Sequence, residues 1–199
     1  MRNVNPIFSF LFILALATLG YSQSTLAGRV VQVIDGKTVV IEISSGKLTA
    51  ELQYIEVPEP EQPLHGTVRE HLEKLVLNKD VVFRSTGFAP GKTFGQIFVS
   101  SADVAVQMLR DGAAWHISPE RSGQKQSDGD AYAYHQTQAR LENRGVWGVK
   151  GMKPAWEFRA DKLERERESL TAAEMAAAES KGVKYEPVSK TKGAVRRTG

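Results

Sequence analysis

Three glutamates fall within six residues in Glu56-Val57-Pro58-Glu59-Pro60-Glu61, a loop bracketed by prolines. Carboxylates so spaced supply the oxygen donors that a hard cation such as calcium requires, or a base for an attacking water. The same spacing also describes a plain solvated turn. Histidine adds nothing to a metal site: His65, His71, His116 and His135 lack ligand spacing and read as surface or hydrogen-bonded core residues. The chain has no cysteine, so any core must hold without disulfides.

Charge narrows the partners. Between Gly28 and Lys150, 14 Lys and Arg stand against 15 Asp and Glu. A domain that grips duplex phosphates needs a basic face, and this balance leaves room for a local patch only. The positive excess lies at 182–199, where Lys184, Lys190, Lys192, Arg196 and Arg197 face Glu186 alone.

The elements that must position these residues follow from the period of the apolar ones. Gly28 to Ile34 and Lys37 to Ser44 are rich in β-branched residues and are separated by Asp35-Gly36, a tight-hairpin dipeptide whose glycine is expected at positive φ. After Ser45-Gly46, the stretch Lys47 to Ile55 alternates, with Leu48, Ala50, Leu52 and Tyr54 on one face and Thr49, Glu51 and Gln53 on the other. Val68, Leu72, Leu75 and Val76 recur at helical spacing; Asp80 to Ser85 and Phe94 to Val99 return to strand character. Ala102 to Arg110 predicts a second helix stopped at Gly112, and Asp130 to Asn143 a third closed by Gly145. Five short strands with a helix between the third and fourth is the layout of an OB-type barrel.

Five segments carry a family resemblance. Val31-Gln32-Val33-Ile34-Asp35-Gly36-Lys37-Thr38 is similar to a V-x-V-I-D-G-D-T hairpin, and Glu51 to Glu59 to R-L-x-x-I-D-x-P-E. Phe94-Gly95-Gln96-Ile97 resembles Y-G-R-x-L, Met108 to Trp115 resembles L-V-R-x-G-x-A-W, and Ala139 to Trp147 a stretch ending G-L-W. Together, and in this order, they resemble the staphylococcal nuclease family over about Gly28 to Gly148. The fold so implied is α+β: a five-stranded OB-fold of that type with three helices, followed here by a C-terminal helix and tail.

The resemblance also implies a mechanism and the residues to look for. Family members hydrolyse DNA and RNA phosphodiesters with one calcium ion, held by two aspartates and a backbone carbonyl, while a glutamate activates water and two arginines meet the phosphate. Glu59 stands at the water-activating position, Glu56 at the second carboxylate ligand, and the Val57 carbonyl at the third. Phe94 matches an aromatic that stacks on a base, although barrel-edge packing explains it equally. Three positions depart: Lys37 replaces the first aspartate, Glu51 one arginine and Gln96 the other. Glu51, Glu56 and Glu59 against Lys37 give an anionic pocket, which repels a phosphodiester. Lys37 is expected to neutralise Glu56 and Glu59 in place of the metal.

The chain divides into 1–24, a signal peptide; 25–150, the nuclease-like domain; 151–181, a helical extension; and 182–199, a basic disordered tail. Met1 and Arg2 precede an apolar run from Ile7 to Leu19, which spans roughly 20 Å as a helix, short of the roughly 30 Å hydrocarbon core. A membrane anchor and an apolar start to the fold are the other readings. Trp156, Leu163, Leu170 and Ala177 repeat every seven residues, so 155–180 forms a partner helix, or one that is solvated or docked.

The function expected is that of an exported, catalytically degenerate nuclease homologue acting as a binding or structural module, with no cofactor. The alternative is a calcium-dependent nuclease, active or weakly active on DNA or RNA; an enzyme of other specificity using the remaining carboxylates is a third. Nothing names a partner. Weak nucleic-acid contact through the basic tail is expected, and no membrane association once the signal is removed.

Overall fold

The computed structural model describes residues 24–180. The signal reading for 1–24, apart from Ser24, and the disordered-tail reading for 182–199 lie outside the described residues. The elements are β1 (Thr25–Val33), β2 (Thr38–Ile43), β3 (Gly46–Leu52), β4 (Ile55–Glu56), α1 (His65–Val76), β5 (Asp80–Ala89), β6 (Lys92–Val99), β7 (Ala102–Asp103), α2 (Val104–Arg110), β8 (Trp115–His116), α3 (Pro119–Ser122), α4 (Gln126–Leu141) and α5 (Ala155–Ser180), with a 3-10 turn at Gly145–Gly148.

Strands β3-β2-β1-β5-β6-β7 form one sheet in that order, antiparallel throughout, and a parallel pairing of β3 with β6 closes the five long strands into a barrel. Two register shifts, between Val30 and Gln32 and between Ser85 and Gly87, supply the bends that closure needs. Val30, Ile41, Ala50, Phe83 and Ile97 have no exposed surface and fill the interior. Helix α1 caps it with Val68, Leu72 and Val76, spaced four apart on one face and buried. Each such side chain contributes about 1.5–3 kcal/mol on burial.

The predicted elements are present, with corrections of detail. The third helix starts and ends earlier than Asp130 to Asn143, at Gln126–Leu141. The expected alternation of β3 gives way at Glu51, which is buried between two inward residues because cations cover its outward face. Gly36 does not adopt positive φ. Its requirement is space: a Cβ there would sit 2.7 Å from Val68 Cγ1 and 3.2 Å from Val57 Cγ2. Gly112 does sit at φ 70, and its carbonyl accepts the Val146 amide at 2.8 Å, tying the end of α2 to the chain beyond α4.

Candidate functional site

The turn between β1 and β2 is held by Asp35, whose Oδ1 accepts the backbone amides of Lys37 and Thr38, both at 2.8 Å. This arrangement sends the Lys37 side chain along the outer barrel wall. Its ammonium lies 2.8 Å from Glu51 Oε1 and 3.2 Å from Glu56 Oε2. Thr38 pairs with Glu51 across the β2–β3 ladder, so the two strands place the pair side by side. The other Glu51 oxygen accepts from Lys92, which lies two residues before Phe94, the parallel partner of Glu51.

Glu59 lies in the loop after β4. Its amide donates to Gln62 Oε1 at 2.9 Å, while Gln62 Nε2 donates to the Lys153 carbonyl at 2.8 Å, joining this loop to the segment before α5. From α5, Arg159 reaches back: Nη2 lies 3.0 Å from Glu56 Oε1, and Nη1 pairs with Glu59 Oε1. Next to it Lys162 meets Glu61 Oε1 at 2.6 Å. These groups bound a cleft of about 280 Å³ lined by Asp35, Lys37, Glu56, Val57, Glu59 and Arg159. A larger groove of about 770 Å³ lies elsewhere, beside Asp80, Arg84 and Phe98. The smaller cleft is the candidate site, because charged groups converge there.

Lys37, Glu51, Glu56, Glu59 and Val57 are therefore brought together. Lys37 bridges Glu51 and Glu56, whereas Glu59 belongs to Arg159, so the expected pairing of Lys37 with Glu59 is corrected. The uncompensated anionic pocket is corrected too, since Lys92 and Arg159 join Lys37 opposite the three glutamates. Burial alone would raise the Glu51 carboxyl, yet hydrogen bonds from Lys37 and Lys92 bring it below its ordinary value. Burial likewise opposes the Lys37 ammonium, but Glu56 and Glu51 outweigh it and hold the ammonium above its ordinary range. Hydrogen bonding to Glu56, then to Glu59, raises Arg159.

Gln96 does not line this cleft. Its Nε2 donates to Asp103 Oδ2 at 2.9 Å and lies 3.3 Å from the Tyr132 hydroxyl, which itself donates to Asp103 Oδ2 at 2.6 Å. Asp103 Oδ1 accepts the Ala105 amide and so caps α2. Burial raises the Asp103 carboxyl despite these donors, and burial followed by the Asp103 charge raises Tyr132. Phe94 is half-buried with Lys92 Nζ 5.2 Å from its ring centroid, a cation–π contact on the barrel wall.

Calcium fits this arrangement poorly. One Glu56 oxygen is held by a guanidinium and the other by an ammonium, and the position of the first aspartate carries a cation, which is not a metal ligand. Sequence reasoning missed three participants. Lys92 was legible from the two-residue strand period running back from Gln96 through Phe94, whereas no local signal marks Arg159 or the Asp103–Tyr132 pair.

The family model described as staphylococcal nuclease homologue matches residues 49–149, which include Glu51, Glu56, Glu59, Phe94 and Gln96 but not Lys37. The probable staphylococcal-like nuclease CAN2 of Oryza sativa subsp. japonica is 26% identical over 132 residues, 65% of this chain and 34% of its own. An uncharacterized endonuclease of Escherichia coli O157:H7 is 26% identical over 163 residues, 80% of this chain and 98% of its own. A micrococcal nuclease of Shigella flexneri is 24% identical over 142 residues, 66% and 79% respectively. The chain thus spans about a third of the rice relative, and most of the two bacterial ones.

Proposed function

The chain belongs to the staphylococcal nuclease homologue family, and within it we propose a member that no longer hydrolyses phosphodiesters and whose barrel serves as a binding or structural module. The observation that carries this reading is the state of Glu56, with Arg159 on one oxygen and Lys37 on the other. A divalent ion would have to displace one cation and lie beside the second; two unit charges 4 Å apart interact by about 4 kcal/mol at an effective dielectric of 20. Glu51 also sets a negative charge where a phosphate needs a positive one, and Gln96 is engaged with Asp103. A charged clamp is worth roughly 10³–10⁵ in rate in related phosphoryl transfers.

The test is cleavage of single-stranded DNA and RNA with and without calcium, by the full chain and by Glu59→Ala. No calcium-dependent cleavage is expected. Cleavage that needs calcium and disappears in the variant would establish the second reading, an active nuclease. That reading draws on the retained Glu59, on the two cations lining the cleft, Lys37 and Arg159, and on the names of the relatives.

Export through residues 1–24 belongs to the same proposal. Among the described residues no helix is long and apolar enough to cross a membrane. Amino-terminal sequencing of the mature protein should find a start between Ser22 and Gly28. Nucleic-acid contact is assigned to the basic segment beyond Gly182, so truncation after Ser180 should abolish it. Leu163 and Leu170 are 50% and 64% exposed on α5, which leaves that part of the seven-residue stripe available to a partner helix, whereas Trp156 is packed against the domain.

A further inference from the structure

Helix α5 holds to the rest of the molecule in two places. Its apolar anchor is the first turn, where Ala155 is fully buried beside Trp115 and Val146, and Trp156 lies under the Arg121 guanidinium, 5.0 Å from the ring centroid. Its polar anchor comes one turn later, where Arg159 forks onto Glu56 and Glu59, and Lys162, three residues further on the same face, meets Glu61. Beyond Lys162 every side chain described is exposed, and none of those described secures the helix to the barrel. The apolar anchor fixes where the helix begins. The polar anchor fixes the direction in which it leaves.

We infer that α5 is a strap lying across the mouth of the cleft and that Arg159 is its latch, the resident cation of the Glu56–Glu59 pair. Arginine suits this role because its planar fork satisfies two carboxylates at once. The latch is also breakable: the Arg159 side chain is 47% exposed, so salt competes with it, and release lets the helix swing away, bares Glu59 and leaves Glu56 to Lys37 alone. The inference goes beyond the non-catalytic reading, since the strap holds or fails whether or not the barrel hydrolyses a phosphodiester.

The chain has no cysteine, so spin labels on Ser45→Cys and Thr171→Cys report the direction of α5 without interference. Pulsed electron resonance should give one narrow distance distribution in the otherwise unaltered chain. Adding Arg159→Ala should broaden it at least twofold, as should about 1 M salt, while Arg159→Lys broadens it less and Lys162→Ala leaves it unchanged. A distribution as narrow in Arg159→Ala as in the parent, with helix content retained by circular dichroism, would overturn the inference. Broadening by Lys162→Ala equal to that by Arg159→Ala would overturn the assignment of the latch to Arg159.

Discussion

Two polar clusters on the barrel wall solve the same problem in opposite ways. Around Glu51, Glu56 and Glu59, carboxylates are matched by Lys37, Lys92 and Arg159, so charge meets charge. Around Asp103 a single carboxylate meets only neutral donors, the Tyr132 hydroxyl, the Gln96 amide and the Ala105 backbone. The first cluster ends with a carboxyl lowered by its cations, the second with one raised by burial. Compared with the pattern the resemblance implies, positions 37 and 51 have exchanged an anion and a cation. Attraction between β2 and β3 survives such an exchange, because it depends only on opposite signs. The metal site that the resemblance implies depends instead on which sign stands where.

The sharpest way to break the contrast is to remove the acceptor of the neutral cluster. Asp103→Ala should destabilise the fold by about 3 kcal/mol, since it removes the cap of α2 and strands the Tyr132 and Gln96 donors; urea unfolding measures it. Asp103→Asn should cost less than half as much. In the ionic cluster, Lys37→Ala should cost about 2 kcal/mol, less than a fully buried pair because Glu51 keeps Lys92. Lys47→Ala, an exposed lysine near the start of β3, is the control and should leave the urea midpoint almost unchanged. Swapping the pair outright, Lys37→Glu with Glu51→Lys, should recover less than the full loss, because Glu56 and Lys92 then face like charges.

A third test uses pH, where the clusters should move in opposite directions. Glu51 titrates below its ordinary value of 4.5 in the folded chain, so its contribution is complete above 4.5 and is lost as pH falls through the folded value. Asp103 titrates above its ordinary 3.8, so its contribution is largest below 3.8 and declines as pH rises through the folded value. The stability gap between the parent and Glu51→Gln should therefore shrink on acidification from pH 6 to pH 3, while that between the parent and Asp103→Asn should grow. Equal slopes would mean that the two carboxylates are not differently housed. The smallest effect belongs to Lys162→Ala, whose pair with Glu61 lies at the solvent surface; no change in the unfolding midpoint is expected.

The barrel was legible because its signals are local. The strand character of β3, the Asp35-Gly36 turn and the spacing of Val68 and Leu72 each need only a few neighbouring residues, and the structure keeps all three elements, although the alternation of β3 fails at Glu51. The reason for Gly36 was not legible, since the obstruction comes from Val57 and Val68, on elements that the sequence cannot place against it. The site divides in the same manner. Lys37, Glu51 and Glu56 come from the β1–β2 turn, β3 and β4, at most 19 residues apart in sequence, whereas Arg159 arrives from about 100 residues away. Helix α5 reads from its sequence as a helix with many charges, and nothing in that pattern says which of them docks.

The parallel seam between β3 and β6 has a consequence for how the chain reaches this structure. Its three register pairs, Ala50 with Thr93, Glu51 with Phe94 and Leu52 with Gly95, close a long loop, and contacts so distant in sequence form slowly. Until they form, β3 and β6 are both open sheet edges able to pair with a second molecule. Glu51 and Lys92 lie along those edges with opposite charges. Each edge then repels a copy of itself and attracts the other, and a seam slipped by one residue turns Glu51 away from Lys92. The ion pair across the seam thus selects both partner and register, and disfavours pairing between like edges.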